Sequence, residues 1–118
     1  MVAQLDEVRS EAGVAPLVRN ACMDEIAEAA AWEYLGMLGI SLVVEQVDCP
    51  GIGAIKELGT RGAREPEELV EFWSTNNRWG PLLVNPQAHE VGVGCARVVD
   101  GDSRIIACSM IIAEPAGN

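Results

Sequence analysis

Apolar positions fall into a few patterned stretches separated by one stretch without pattern. In residues 2–12, Leu5 and Val8 recur at helical spacing, and Gly13 stands where a left-handed residue closes a helix. Pro16 excludes a continuous helix and makes residues 15–17 an extended connector. Asn20 suits a helix N-cap, and Asp24 and Glu25 complement the dipole of the first turns. Met23, Ile26, Ala30, Tyr34 and Leu38 then form one stripe, so a helix is predicted over 20–38, ended by Gly39. Residues 40–44 are β-branched and apolar, as in a strand or an extended cover of a core. From 45 to 64 the pattern fades: Cys49-Pro50-Gly51-Ile52-Gly53 breaks any element, and Lys56–Leu58 amounts to a helical turn at most. Unpatterned segments of that length tend to be functional or mobile.

Helical spacing resumes at Pro66, a favoured first helical position, with Leu69, Phe72 and Trp73 on one face and an end near Asn76-Asn77. Gly80-Pro81 and Asn85-Pro86 frame a loop. Residues 91–99 and 104–112 read as a hairpin around Asp100-Gly101-Asp102-Ser103. The second of these strands is apolar on nearly every residue, which requires burial on both faces and therefore helices on both sides of the sheet. The order helix, helix, unpatterned segment, helix, hairpin predicts an α+β chain folded as a three-layer α/β/α sandwich with a C-terminal antiparallel hairpin. At 118 residues a single domain over 1–118 is expected.

Composition narrows the partners. With 49% apolar and 22% charged residues the chain is globular rather than disordered. A formal net charge of -10 with eight scattered basic residues argues against nucleic acid, which is held by Lys and Arg neutralising phosphates. It argues equally against docking on anionic lipid, for which a basic cluster is needed. Residues 1–15 carry Asp6, Glu7, Arg9 and Glu11 and cannot form the apolar core of a secretory signal. The longest apolar stretches, near 40–44 and 105–113, fall short of the roughly 20 residues of a membrane-spanning helix.

Four cysteines, Cys22, Cys49, Cys95 and Cys108, allow three pairings, and none sits in a Cys-x-x-Cys arrangement of the zinc or thioredoxin type. If Gly101-Asp102 is a two-residue turn, Cys95 faces Cys108 across the hairpin. Opposed side chains lie about 4.5–5.5 Å apart, within disulfide reach. Two buried thiols acting as small hydrophobes are the alternative.

Two stretches carry a family resemblance. The run Leu5-Asp6-Glu7-Val8-Arg9 followed by Gly13 and Leu17, and the run Pro66-Glu67-Glu68-Leu69-Val70-Glu71-Phe72-Trp73 followed by Asn85-Pro86 and Glu90-Val91-Gly92-Val93-Gly94, resemble the bacterial SCP-like branch of the CAP superfamily of cysteine-rich secretory, antigen 5 and pathogenesis-related proteins. The resemblance is strong over 66–94, moderate over 1–38 and poor over 40–64. It implies a CAP-like fold, an extracellular or cell-surface location, and a cleft that holds a divalent metal with two His and two Glu. By position, Glu57 and Glu68 stand for the two carboxylates, although Lys56 and Leu58 replace the Gly and Asn that flank the first. No His precedes His89, and Trp79 or Asn77 falls where the second imidazole belongs.

The expected chemistry is correspondingly thin. Zinc and similar metals favour imidazole nitrogen, and two carboxylates alone make a weak, unselective site. His89, beside Glu90 at the mouth of a strand, is a surface residue before it is a ligand. Trp79, between a helix end and Gly80-Pro81, belongs to a cleft rim or to packing. No nucleophile-elbow sequence surrounds any Ser or Cys, so no catalytic residue is assigned. No cofactor and no metal are expected. Glu57, Glu68, Trp79, Asn77, His89 and Glu90 are the cleft candidates of a non-enzymatic binding module for a lipid, a small apolar ligand or a protein. A weak metal-assisted hydrolase using Glu57 and Glu68, or a homodimerising domain of a larger secreted protein, are the alternatives.

Overall fold

The computed structural model describes residues 1–36, 48–62 and 64–116. The strand expected at 40–44, and the end of the second helix at Leu38 and Gly39, lie outside the described residues. The elements are α1 (Val2–Glu11), β1 (Val18–Arg19), α2 (Ala21–Gly36), β2 (Ile52–Gly62), α3 (Pro66–Ser74), α4 (Gly80–Leu83), β3 (Glu90–Asp100) and β4 (Ser103–Pro115). They build a four-stranded mixed sheet in the order β1-β3-β4-β2, with β1 parallel to β3 and the other pairs antiparallel.

Strand β4 is central, and both of its faces are covered. Ala107, Ser109, Ile111 and Ala113 point to α2, whereas Ile106, Cys108, Met110 and Ile112 point to the core shared with α1, α3 and α4. Leu5, Leu58, Leu69, Val70, Trp73, Leu83 and Val91 complete that second core, which holds most of the large buried side chains. Each such side chain contributes about 1.5–3 kcal/mol of burial. The α2 side is thinner and alanine-rich, with Met23, Ala27, Ala30, Ala31 and Tyr34 against the sheet. This is the three-layer α/β/α sandwich that the unbroken apolar run of β4 demands. Among the described residues no helix is long and apolar enough to cross a membrane.

Small residues set the spacing of the α2 layer. A Cβ added at Gly92 would strike the Met23 and Asp24 backbone, and one at Gly94 the backbone of Ala27 and Glu28. The Val-Gly-Val-Gly of β3 therefore puts valines toward the large core and bare backbone toward α2. Asn20 caps α2, its Oδ1 accepting from the Met23 N–H at 3.1 Å. Gly13 takes φ +77° just beyond α1, as its place after the helix predicts.

Two expectations are corrected, and one short strand was not anticipated. Within the segment read as unpatterned, Ile52–Gly62 is an eleven-residue strand, β2, paired with β4. Gly53, read as part of a breaker, lies in the strand against the Pro115 backbone, and a Cβ at Gly59 would lie 2.6 Å from the Tyr34 hydroxyl. The loop framed by Gly80-Pro81 contains the short helix α4, and the connector after Pro16 runs into β1, whose Val18 N–H donates to the His89 carbonyl.

Candidate functional site

The expected carboxylates stand in different layers. Glu57 lies on β2 and points to α2. Its Oε1 accepts from the Tyr34 hydroxyl at 2.6 Å and its Oε2 from the Ser109 hydroxyl at 2.7 Å. Ser109 is fully buried and Tyr34 nearly so. Burial pushes the Tyr34 phenol well above its ordinary pKa, helped by the hydrogen bond to Glu57 and by the negative charges of Glu57 and Glu33. Glu57 is thereby the acceptor of a polar seam between α2 and the sheet.

Glu68 belongs to the opposite side. It is exposed on α3, whose buried face packs into the core containing Leu58. Leu58 follows Glu57 and points the other way, so the sheet separates the two glutamates. They form no shared cleft, and a single water or metal ion cannot sit between them.

The other candidates are dispersed. Asn77 is exposed in the turn after α3. Its neighbour Asn76 shapes that turn, the side-chain oxygen accepting from the N–H groups of Arg78 and Trp79 at 2.8 and 3.3 Å. Trp79 is half-buried at the edge of the large core and meets Phe72, ring centroids 6.3 Å apart at 58°. His89 is exposed, and its backbone stitches β1 to β4 through Val18 and Ala113. Glu90 accepts from the Asn20 amide at 3.1 Å, on the α2 side. Cys95 and Cys108, in register across the hairpin, form a disulfide, and Cys22 and Cys49 form a second.

A tetrad of two imidazoles and two carboxylates does not fit these residues. The chain has one His, it is exposed, and Glu57 already takes two hydroxyl donors. Among the described residues no group of three or more His, Cys, Asp or Glu is placed to hold a metal ion.

What the structure does assemble lies along α3. Arg64, Glu68, Glu71, Phe72 and Thr75 line an open groove of about 320 Å³. The Arg64 guanidinium carbon stands 4.0 Å over the Phe72 ring, which also meets Trp79. Sequence reading singled out Glu68 and Trp79 here and missed Arg64, Glu71 and Phe72 as a group. The aromatic pair was signalled only by its seven-residue spacing, two helical turns on an element that ends before Trp79. Ser109 was visible as the one hydroxyl within the apolar run 105–113.

Sandwich, strand order and hairpin define a three-layer α+β fold, CAP-like in its layout. The chain is similar in fold to MpPR-1i, with TM-score 0.71 and 16% identity over 99% of this chain and 86% of that one. It is also similar to an outer surface protein from Borrelia burgdorferi, with TM-score 0.66 and 17% identity over 97% of this chain and 89% of that one. A cysteine-rich secretory protein from Staphylococcus aureus aligns at TM-score 0.58 and 18% identity over 96% of this chain and 38% of its own length. No family model and no curated protein sequence matches the chain.

Proposed function

We infer that the chain is a non-enzymatic, extracellular CAP-like module that acts by binding and has lost the metal-holding imidazoles of its fold class. The observation that carries this reading is the engagement of Glu57. A carboxylate held by two hydroxyls, one fully buried, stiffens the join between α2 and the sheet and has both oxygens engaged in structure. The exposed His89 and the separation of Glu57 from Glu68 support it. Two disulfides in a chain of 118 residues support an oxidising compartment, where such bonds form and persist. The fold-level neighbours named as an outer surface protein and a secretory protein point the same way.

The test is a titration with zinc, calcium and magnesium followed by tryptophan fluorescence and by thermal unfolding. No response up to millimolar metal is expected. Saturable stabilisation at micromolar zinc, abolished by Glu57→Gln, would refute the reading. Intact-mass measurement of protein recovered from its native source tests the compartment, and four free thiols would count against it.

A further inference from the structure

We propose that the α3 groove is a docking site for a basic segment of a partner protein, and that Arg64 occupies it in the free molecule. This rests on the binding-module reading and names its partner class. Phe72 presents its ring face to the groove, and a guanidinium already lies on that face at 4.0 Å. Trp79 stands against the same ring, tilted, and backs it from outside the groove. Glu68 and Glu71, one helical turn apart, line the same groove and are both exposed. Aromatic faces attract cations through the ring quadrupole, and arginine more often than lysine fills such places. Carboxylates beside the ring add a bidentate partner for the same guanidinium.

Arg64 itself shows what the groove accepts: among the described residues it seats a guanidinium there without an ion pair to Glu68 or Glu71. Its neighbour Glu65 is the paired residue of this corner, bridging Arg97 at 3.0 Å and Arg104 at 2.7 Å. The two groove carboxylates therefore remain to meet a second cation. The protein's charge of -10 draws a basic partner over a longer range and raises its rate of encounter. Arg64 sits immediately before the α3 N-cap, Glu65, on an exposed side chain, so it can swing off Phe72 without disturbing a buried contact.

The experiment uses the whole chain with tri-arginine as probe and tri-glutamate as control, followed by tryptophan fluorescence and by calorimetry at low and moderate salt. Tri-arginine is expected to bind at low salt and tri-glutamate not to bind. Arg64→Ala removes the internal competitor and should tighten tri-arginine binding about threefold. Glu68→Gln with Glu71→Gln, both at exposed positions, should weaken it about fivefold while leaving the melting temperature unchanged. Phe72→Leu should abolish the preference for arginine over lysine, and its folded state is checked by thermal unfolding. Weaker binding by Arg64→Ala would overturn the competitor role. Equal binding by the double Gln variant would place the contact elsewhere on the acidic surface and overturn the site. A failure of tri-arginine to bind at all removes this proposal alone, since the metal titration and the thiol count judge the underlying reading separately.

Discussion

The Tyr34 hydroxyl donates to Glu57 at 2.6 Å, and this bond joins the outer helix α2 to the edge strand β2 across a face where Gly59 leaves room for the ring. The same carboxylate receives Ser109 from β4 at 2.7 Å. Three elements distant in sequence are fixed by one acidic side chain, in a layer that otherwise offers only alanines and a few larger groups. A polar seam of this kind stabilises when its members are satisfied and costs heavily when one is removed.

The raised pKa of Tyr34 gives this seam a pH signature. An unfolded tyrosine ionises near pH 10, and in the folded protein burial and Glu57 hold the phenol above that value. The contribution to stability is complete below the unfolded pKa and is lost as pH rises toward the folded one. Unfolding free energy should therefore fall with pH above about 10, and Tyr34→Phe should flatten that fall. At neutral pH the same substitution should cost about 1.5–3 kcal/mol, because a hydrogen bond to a charged group is lost. Denaturant titrations at a series of pH values measure both effects. Tyr34 is the chain's one tyrosine, so phenolate absorbance reports it alone. Its ordinary titration near pH 10 in folded protein would contradict the seam.

Gly94 sets how closely α2 can lie on the sheet. A methyl group there meets the backbone of Ala27 and Glu28, which cannot rotate aside as a flexible side chain could. Gly94→Ala should cost about 3 kcal/mol or more, at or beyond the upper end of overpacking penalties. Gly62→Ala meets nothing within 4 Å and should stay within about 0.5 kcal/mol of the parent. Chemical denaturation of the two variants side by side separates close packing from general loss of glycine.

Arg9 is buried to 1% exposure, yet it carries a charge into the wall of the larger core. Its guanidinium donates to the carbonyls of Ala15 at 2.6 Å and of Leu83 and Asn85 at 3.0 Å each, closing the end of α4 onto the turn after α1. Burial lowers its pKa from the ordinary arginine value, with Asp6 opposing that shift. Arg9→Met should lose about 3–5 kcal/mol, since three carbonyls at the core wall are left without this donor. Arg9→Lys should recover little of it, because a compact ammonium cannot span acceptors on two separate segments. Thermal unfolding of the pair checks this, and full rescue by lysine would mean that charge alone matters there.

These residues also show what the sequence made legible. The two-faced apolar run of β4 required helices on both sides, whereas the glycine-spaced entry to β3 was read only as a strand, and its close approach to α2 came from the structure. Strand β2 was hidden because its pattern alternates charge and glycine: Lys56 and Thr60 flank Leu58 on one face, and Glu57 and Gly59 share the other. Among its described residues Ile52, Ile55 and Leu58 carry its apolar signal toward the two cores, at spacings that do not alternate. A central strand needs hydrogen-bonding neighbours on both edges, so β4 implied a partner besides β3 that the chain had still to supply. The placement of Glu57 could not be read earlier, since its face depends on the register of that strand. A one-residue slip would have turned it toward α3 and Glu68.

The Cys22–Cys49 disulfide, by contrast, had no local geometry to announce it, and it yields the most direct test of how β2 is held. It ties the first turn of α2 to the residues just before Ile52, across a sequence separation of 27. Chain-entropy reasoning gives it about 3.5 kcal/mol, and about 3 kcal/mol to Cys95–Cys108. Replacing both members of either pair with Ala should lower the melting temperature in that order. The local consequences should differ more than the totals. Cys95 and Cys108 sit in a hairpin whose register is also set by pairs from Glu90–Ala113 to Asp100–Ser103, so hydrogen exchange along β3 and β4 should change little without their bond. Cys49 has no such ladder beside it, and loss of its partner should speed amide exchange from Ile52 through Ile55, where the β2 register already shifts. Exchange mapped on the two double-alanine variants decides the matter, and faster exchange confined to the hairpin in both would show that β2 is anchored by β4 alone.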